Sequence, residues 1–395
     1  MSAMKQHPEF ASTRELRWLG QGIQSADETR QAQALRDMIE TLGTEQAYKL
    51  AQRNDVACIV GHAADCGTLA SELAAPFALA HAQTLQRIAR YMTRLDHIAE
   101  TLAGLGIPLV ALKNAGIARG IQGCYGCCPM GDVDVLVRRS DFREAHRVLM
   151  ELGYQFEFRS PLEMADTDEA ERSGGTEYWM PDEGEERFWL ELQWRPVAGR
   201  WIRPDQEPKG DALIDRSVSI EGSHVRLLAP EDNLLQVALH TAKHTYVRAP
   251  GFRLHTDVDR IVTKQSIQWD TFVSRVAELQ VRTPAYFSLL LSARLLGSAI
   301  PENVLAELKV GDARCRWIAR QLNRVGLLDP DAPKFRRWQY LAFNAALYDD
   351  LSGLWRAVFP GVEWMQQRYG TRSAWLLPWG YARRACDLLV RRVRT

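Results

Sequence analysis

The sequence predicts an α+β protein, a small β-sheet core held between helical regions at both ends, on three observations. Acids and aliphatic residues alternate through Asp132-Val133-Asp134-Val135-Leu136-Val137, the period of a strand. Leu85, Ile88, Met92, Leu95, Ile98, Leu102 and Leu105 recur three or four apart and form one helical stripe before it. Pro230-Glu231-Asp232 has proline and acids where a helix begins, and the pattern after it stays helical. The expected division is a helical region over 1–104, an α/β core over 105–228 and a second helical region over 229–395.

With 395 residues, 46% of them apolar and 25% charged, the chain has the composition of an ordinary globular protein and can bury sizeable cores. The formal net charge of zero removes any global electrostatic case for nucleic acid. Met1 to Arg17 lacks the apolar core of a signal peptide, and no apolar run reaches the length of a transmembrane segment. The cytoplasm is the expected location, and seven cysteines, an odd number, fit reduced thiols better than a disulfide framework.

In chain order, Asp55 to Val60 reads as a short helix packed under the long one. His62, His81 and His97 stand at no ligand spacing and read as surface or core-edge residues. Gly104 and Gly106-Ile107-Pro108 end the long helix. The apolar run from Ile107 to Leu112 then stops at Lys113-Asn114-Ala115-Gly116 and resumes as a helix. A strand feeding a helix through such a turn gathers backbone N–H groups and a positive dipole end, which suits a phosphate, and Lys113 adds a point charge.

Asp132 and Asp134 project from one face of their strand, with the valines and the leucine assigned to the other, buried face. Two carboxylates so close are solvated, or bind metal, or split their pKa values as acid and base. A hard cation such as Mg²⁺ or Mn²⁺ could sit there, completed by substrate phosphates. Downstream, Arg138-Arg139 face phosphate or solvent, Ser140 reads as the N-cap of a helix Asp141 to Leu152, and Tyr154 to Phe158 as a strand. The acid-rich run Glu163 to Glu186 reads as a loop and hairpin around a strand Glu177 to Met180, its acids solvated. Arg187 to Trp194 is a further strand, with Leu190 and Leu192 on one face and Trp189, Glu191 and Gln193 on the other.

The run from Leu112-Lys113 to Gly131-Asp132-Val133-Asp134, followed by Ser140-Asp141 and a helix ending in Leu152-Gly153-Tyr154, resembles the uncharacterised nucleotidyltransferase family of the DNA polymerase β-like superfamily. The resemblance covers most of the chain. It implies a small mixed sheet, a phosphate-binding turn, a D-x-D strand and a third acid on a later strand, where Glu191 stands. Two positions depart from the family: Asn114 follows the lysine where glycine is usual, and Cys128-Pro129 stand where an arginine is common. Asn is the non-glycine residue that best tolerates left-handed geometry, so the turn is expected to survive the change. Position 193, commonly histidine in the family, is Gln, which cannot titrate.

The loop Gly123-Cys124-Tyr125-Gly126-Cys127-Cys128-Pro129 invites a zinc hypothesis. A tetrahedral site needs four ligands, usually two close pairs, and a second pair is missing because Cys58, Cys66, Cys315 and Cys386 are isolated. The loop is therefore read as small residues beside the site. Farther on, His240 and His244 share a helix face with Lys243 beside them, but the His-Glu-x-x-His pattern of zinc proteases is absent. The resemblance implies instead that His240, Lys243 and His244 face the cleft and touch phosphate or base, and that Asp257 matches a usual acid. Trp269-Asp270 opens another helix. The basic aromatic tail, from Trp375 to Trp379 and on through Arg383-Arg384 to Arg394, is expected to pack its aromatics and solvate its arginines.

The function so implied is a metal-dependent nucleotidyltransferase that moves a nucleoside monophosphate from an NTP to a hydroxyl or phosphate acceptor, a small molecule or a peptide. Asp132, Asp134 and Glu191 are expected to hold one or two Mg²⁺ ions and act in catalysis. Lys113, Asn114, Ala115, Gly116 and Gly131 are expected at the phosphates. The alternatives are a related transferase with another donor, such as a nucleotide sugar, and an eroded nucleotide-binding module.

Overall fold

The computed structural model describes residues 7–24, 26–65, 72–157, 166–184, 186–197, 203, 205–369 and 374–389. At its centre is a mixed sheet of β1 (Leu109–Ala111), β2 (Val133–Leu136), β3 (Gln155–Phe156), β4 (Gly175–Pro181), β5 (Arg187–Gln193), β6 (Val218–Ser219) and β7 (Val225–Leu227), in the order β3-β4-β5-β2-β1-β7-β6. β2 runs parallel to β5 and antiparallel to β1, and β1 runs parallel to β7. Helices lie on both flanks, so the α+β class and the mixed sheet expected from the sequence are what the chain adopts.

Before the sheet come α1 (Arg14–Ile23), α2 (Glu28–Leu42), α3 (Thr44–Arg53), α4 (Ala57–Val60), α5 (His62–Asp65) and the long α6 (Ala75–Ala103). Thr13 and Asp27 start α1 and α2 by accepting the N–H groups of Leu16 and Arg30. Along α6 the predicted stripe is buried from Ile88 to Leu102, whereas Leu85 and Leu105 at its two ends are exposed. This helix packs on β1, β7, α7 (Lys113–Gly120) and α8 (Phe142–Glu151).

The faces of the sheet decide where the acids can sit. Val133, Val135 and Val137 join Leu109, Ala111, Leu190, Leu192 and Val225 in the main core. On the opposite face Val110, Leu112 and Leu136 form a separate small cluster with Leu213 and Ile214 of a short helix, Gly210–Arg216, and with Leu228. Leu136 thus shares the acid face, contrary to its assignment with the valines. Period two puts 132, 134 and 136 on one side, and the short helix provides the apolar cover.

Other expectations are corrected in detail. The strand expected to reach Phe158 comprises only Gln155–Phe156, and Phe158 lies outside the described residues. Residues 158–165 are also outside, and the remainder of the acid-rich run contains a helix, Thr167–Ser173, and a strand longer than expected. Asp166 starts that helix by accepting the N–H groups of Asp168 and Glu169, and Asp168 and Glu171 then pair with Arg143. α8 is entered through a 3-10 turn, Arg139–Asp141, not through a Ser140 cap. Arg138 pairs with Asp215, while Arg139 lies over the Trp194 ring and near Glu171. β6 and β7 add two short strands that no local pattern announces.

After the sheet, the helices Pro230–Lys243, Leu254–Lys264, Trp269–Glu278 and Arg282–Leu296 pack together, as the helix-start signals predict. Asp232, in the first turn of Pro230–Lys243, is buried, accepts from Arg216 and forms an ion pair with Arg275. The aromatics of the tail are not packed as expected: Trp375 is 93% and Trp379 57% exposed, and Arg391 to Arg394 lie outside the described residues. Among the described residues, no helix is long and apolar enough to cross a membrane.

Candidate functional site

Parallel pairing of β2 with β5 sets Asp134 directly beside Glu191. Asp132 lies just before β2, two residues from Asp134 and on the same face, and one carboxylate oxygen from each of the three acids lies within 4.8 Å of the other two. The convergence expected from three separate acids is therefore present. On the far side of Glu191, antiparallel β4 places Glu177 directly opposite it. The sequence places Glu177 among the solvated acids of its run, and only the register of β4 against β5 sets it opposite Glu191.

Cations and amides face these acids. Lys113 Nζ lies 2.5 Å from Asp134 Oδ1 and 3.8 Å from Glu191 Oε2. Gln193 Nε2 donates to the same Asp134 oxygen at 2.8 Å, so this side chain, which cannot titrate, serves as a fixed donor. Burial pushes the Asp134 carboxyl well above the ordinary range; Lys113 pulls it down, and repulsion from Asp132 and Glu191 pushes it further up. Burial opposes the Lys113 charge, but Asp134, Glu191 and Asp132 outweigh it and hold the ammonium above its usual value. Lys113 thus lies in the field of all three carboxylates. Oxygen donors at this separation, with a cation already drawn among them, fit a hard divalent ion.

In the turn at the end of β1 the left-handed residue is Lys113 itself, with φ of 50°, and not Asn114. Asn114 lies in α7, buried, and its Nδ2 donates to the Pro129 carbonyl at 3.1 Å, which ties the helix start to the segment leading into Asp132. Asn114 and Ala115 are in the first turn of α7, whose N–H groups have no intrahelical acceptor, whereas the Gly116 N–H donates to Leu112 O. Gly116 instead permits close approach, since a Cβ there would lie 2.8 Å from Ala111 O. Gly116→Ala is accordingly expected to cost about 1–3 kcal/mol, read as a lower urea midpoint at unchanged slope. At Gly131 a Cβ would meet nothing within 4 Å, so the space beside Asp132 is open.

The last turn of Pro230–Lys243 brings another ammonium near the acids. Lys243 lies in the field of Lys113, Glu191 and Asp134. The His240 and His244 rings meet edge to face at 4.8 Å. Burial, with Lys113 second, holds His240 well below its usual value, and burial with Lys243 and Lys113 brings His244 down to about 3. Both rings are therefore neutral near pH 7 and offer stacking surface and hydrogen bonds, not charge. Among the described residues they belong to no group of three metal ligands.

Two guanidinium groups from the C-terminal helices brace the segment before Asp132. Arg253 donates to Pro129 O and pairs with Asp55, and buried Arg260 donates to Cys127 O while lying 3.7 Å from Asp257. Both arrive from a distant part of the chain.

A family profile described as an uncharacterised nucleotidyltransferase matches residues 41–297. No curated protein matches the chain.

Proposed function

The chain belongs to the uncharacterised nucleotidyltransferase family, and from that premise we propose that it transfers a nucleoside monophosphate from an NTP to a hydroxyl or phosphate acceptor. The observation that carries this reading is the register of Asp134 beside Glu191 with Asp132 next to them, open toward Gly131 and faced by Lys113. Asp132, Asp134 and Glu191 would hold the divalent ion, Mg²⁺ or Mn²⁺. When bound, that ion neutralises the triphosphate and the charge that grows on departing pyrophosphate.

The remaining work falls to this chain's own groups. Lys113 and the first-turn amides of Asn114 and Ala115 hold the outer phosphates, where a helix N-terminus and an ammonium reinforce each other. Gly131 leaves room for the nucleotide to lie against Asp132. Glu191, half exposed to the cleft, accepts the proton of the acceptor hydroxyl. His240, Lys243 and His244, in the field of Lys113, would meet the nucleotide with the neutral rings against the base and the ammonium toward phosphate.

An NTP that binds only the folded state must raise its stability, by about 2.7 kcal/mol at a hundred times Kd. Thermal scans with each NTP are expected to show a rise in Tm that requires Mg²⁺ or Mn²⁺. Lys113→Ala is expected to raise KM for the NTP about 10–100-fold, the loss of one charge-assisted contact. No shift with any NTP in the presence of either ion would overturn the proposal. Product mass tells a nucleotide donor from a nucleotide sugar.

A further inference from the structure

A second cluster of ligand atoms lies outside the acidic site. His62, at the start of α5, His81 on α6, and Cys124 and Cys127 of the turn before β2 each place one ligand atom within 4.8 Å of the other three. Sequence spacing sets the histidines apart from each other and from the cysteines. The fold brings the two pairs together, and His81, read from the sequence as a surface or core-edge residue, is buried.

The geometry is that of a metal cradle. His81 Nδ1 lies 2.8 Å from Cys58 O; a carbonyl can only accept, so Nδ1 carries the proton and Nε2 presents its lone pair. That Nε2 is 3.4 Å from Cys124 Sγ, and His62 Nδ1 is 3.8 Å from the same sulfur. The edges of a tetrahedron with zinc–nitrogen and zinc–sulfur bonds of about 2.0–2.3 Å are about 3.3–3.8 Å, so these two edges are already close to the required length. The turn Tyr125–Cys127 approaches the imidazole so closely that a Cβ on Gly126 would lie 2.4 Å from His81 Nε2. Arg260, held near Asp257, fixes the Cys127 carbonyl from behind. A cavity of about 50 Å³ whose walls include His62, Cys127 and Arg260 reaches the cluster.

We propose that His62, His81, Cys124 and Cys127 bind one zinc ion as a closed, structural site that ties the N-terminal helices to the segment leading into Asp132. Two nitrogens and two sulfurs in a tetrahedron select zinc over the hard ions suited to the carboxylates. Zn²⁺ replaces the two thiol protons, which leave to solvent, and two thiolates then balance its charge. Four protein ligands leave no open position, so this ion takes no substrate. The site stands independently of nucleotidyl transfer, and either conclusion can fail without the other.

The full chain, purified without chelator, is expected to contain about one zinc per chain by elemental mass spectrometry. Cys124→Ser, Cys127→Ser and His62→Ala are each expected to lose it, and Cys315→Ser and Asp132→Asn to keep it. Should a variant not fold, the unaltered chain still decides the matter. Co²⁺ added to the metal-stripped, reduced protein should give the thiolate charge-transfer and tetrahedral d–d absorptions of a two-sulfur site. Bound zinc should also shield Cys124 and Cys127, but not exposed Cys386, from alkylation until chelator is added. Absence of Zn²⁺ and Co²⁺ binding by the reduced chain overturns the proposal, as does a zinc content that survives both cysteine substitutions or alkylation indifferent to chelator.

Discussion

Asp134→Asn is expected to lower divalent-ion-dependent pyrophosphate release by about 10²–10³-fold or more. Asp134 is the most buried of the three acids and the one that both Lys113 and Gln193 touch, so its charge is the hardest to replace with water. Asparagine keeps the volume and an oxygen for the Gln193 amide but offers no anion. The stability effect follows from the same burial. A carboxyl raised in the folded state binds its proton more tightly there than when unfolded, so native Asp134 weakens the fold as pH rises above the ordinary carboxylate range. The asparagine variant lacks that loss but leaves Lys113 without its nearest counter-charge, so its Tm relative to the unaltered protein should rise from acid toward neutral pH. Near-native turnover would end the assignment of the site, and half-buried Asp132→Asn provides the same test from a position less critical to folding.

Arg195→Met is expected to destabilise the protein by about 3–5 kcal/mol in urea unfolding, the cost of leaving a buried charge unpaired. Arg195 stands two residues past Gln193, where its guanidinium pairs with Glu207, which is 4% exposed and also accepts the Val197 N–H at 3.3 Å. The pair closes the chain behind the strand carrying Glu191, so its loss loosens one wall of the acidic site. Burial already outweighs Arg195 and holds the Glu207 carboxyl above its usual value. Without the arginine it rises further, and stability should fall more steeply as pH increases through the window between the unfolded and folded values. Adding Glu207→Gln should recover most of the loss. If the single variant unfolds at the native midpoint, the pair contributes little and the strand end is held by other contacts.

The sequence makes strands and faces legible wherever a local period exists. Alternation identifies β2 and the Glu191 face of β5, because each is set by residues two apart. Leu136 reads with the valines by its apolar character although period two sets it with the acids; the cover that Leu213 and Ile214 supply there is a tertiary fact. Glu177 and the second ligand pair, His62 and His81, depend on register and on helix packing, which leave no trace in neighbouring residues. Asn114 shows a different limit. Its tolerance of left-handed geometry is real, but the fold puts that strain on Lys113 and gives Asn114 a carbonyl to hold.

The pairing of β1 with β7 joins residues 109–111 to residues 225–227. A shortened chain ending soon after β5 would therefore contain all three acids yet leave β1, with its buried Leu109, Val110 and Ala111, as a bare apolar edge able to recruit a second chain. Fragments cut there should self-associate, and soluble trimmed forms of this protein should be sought only beyond Leu228.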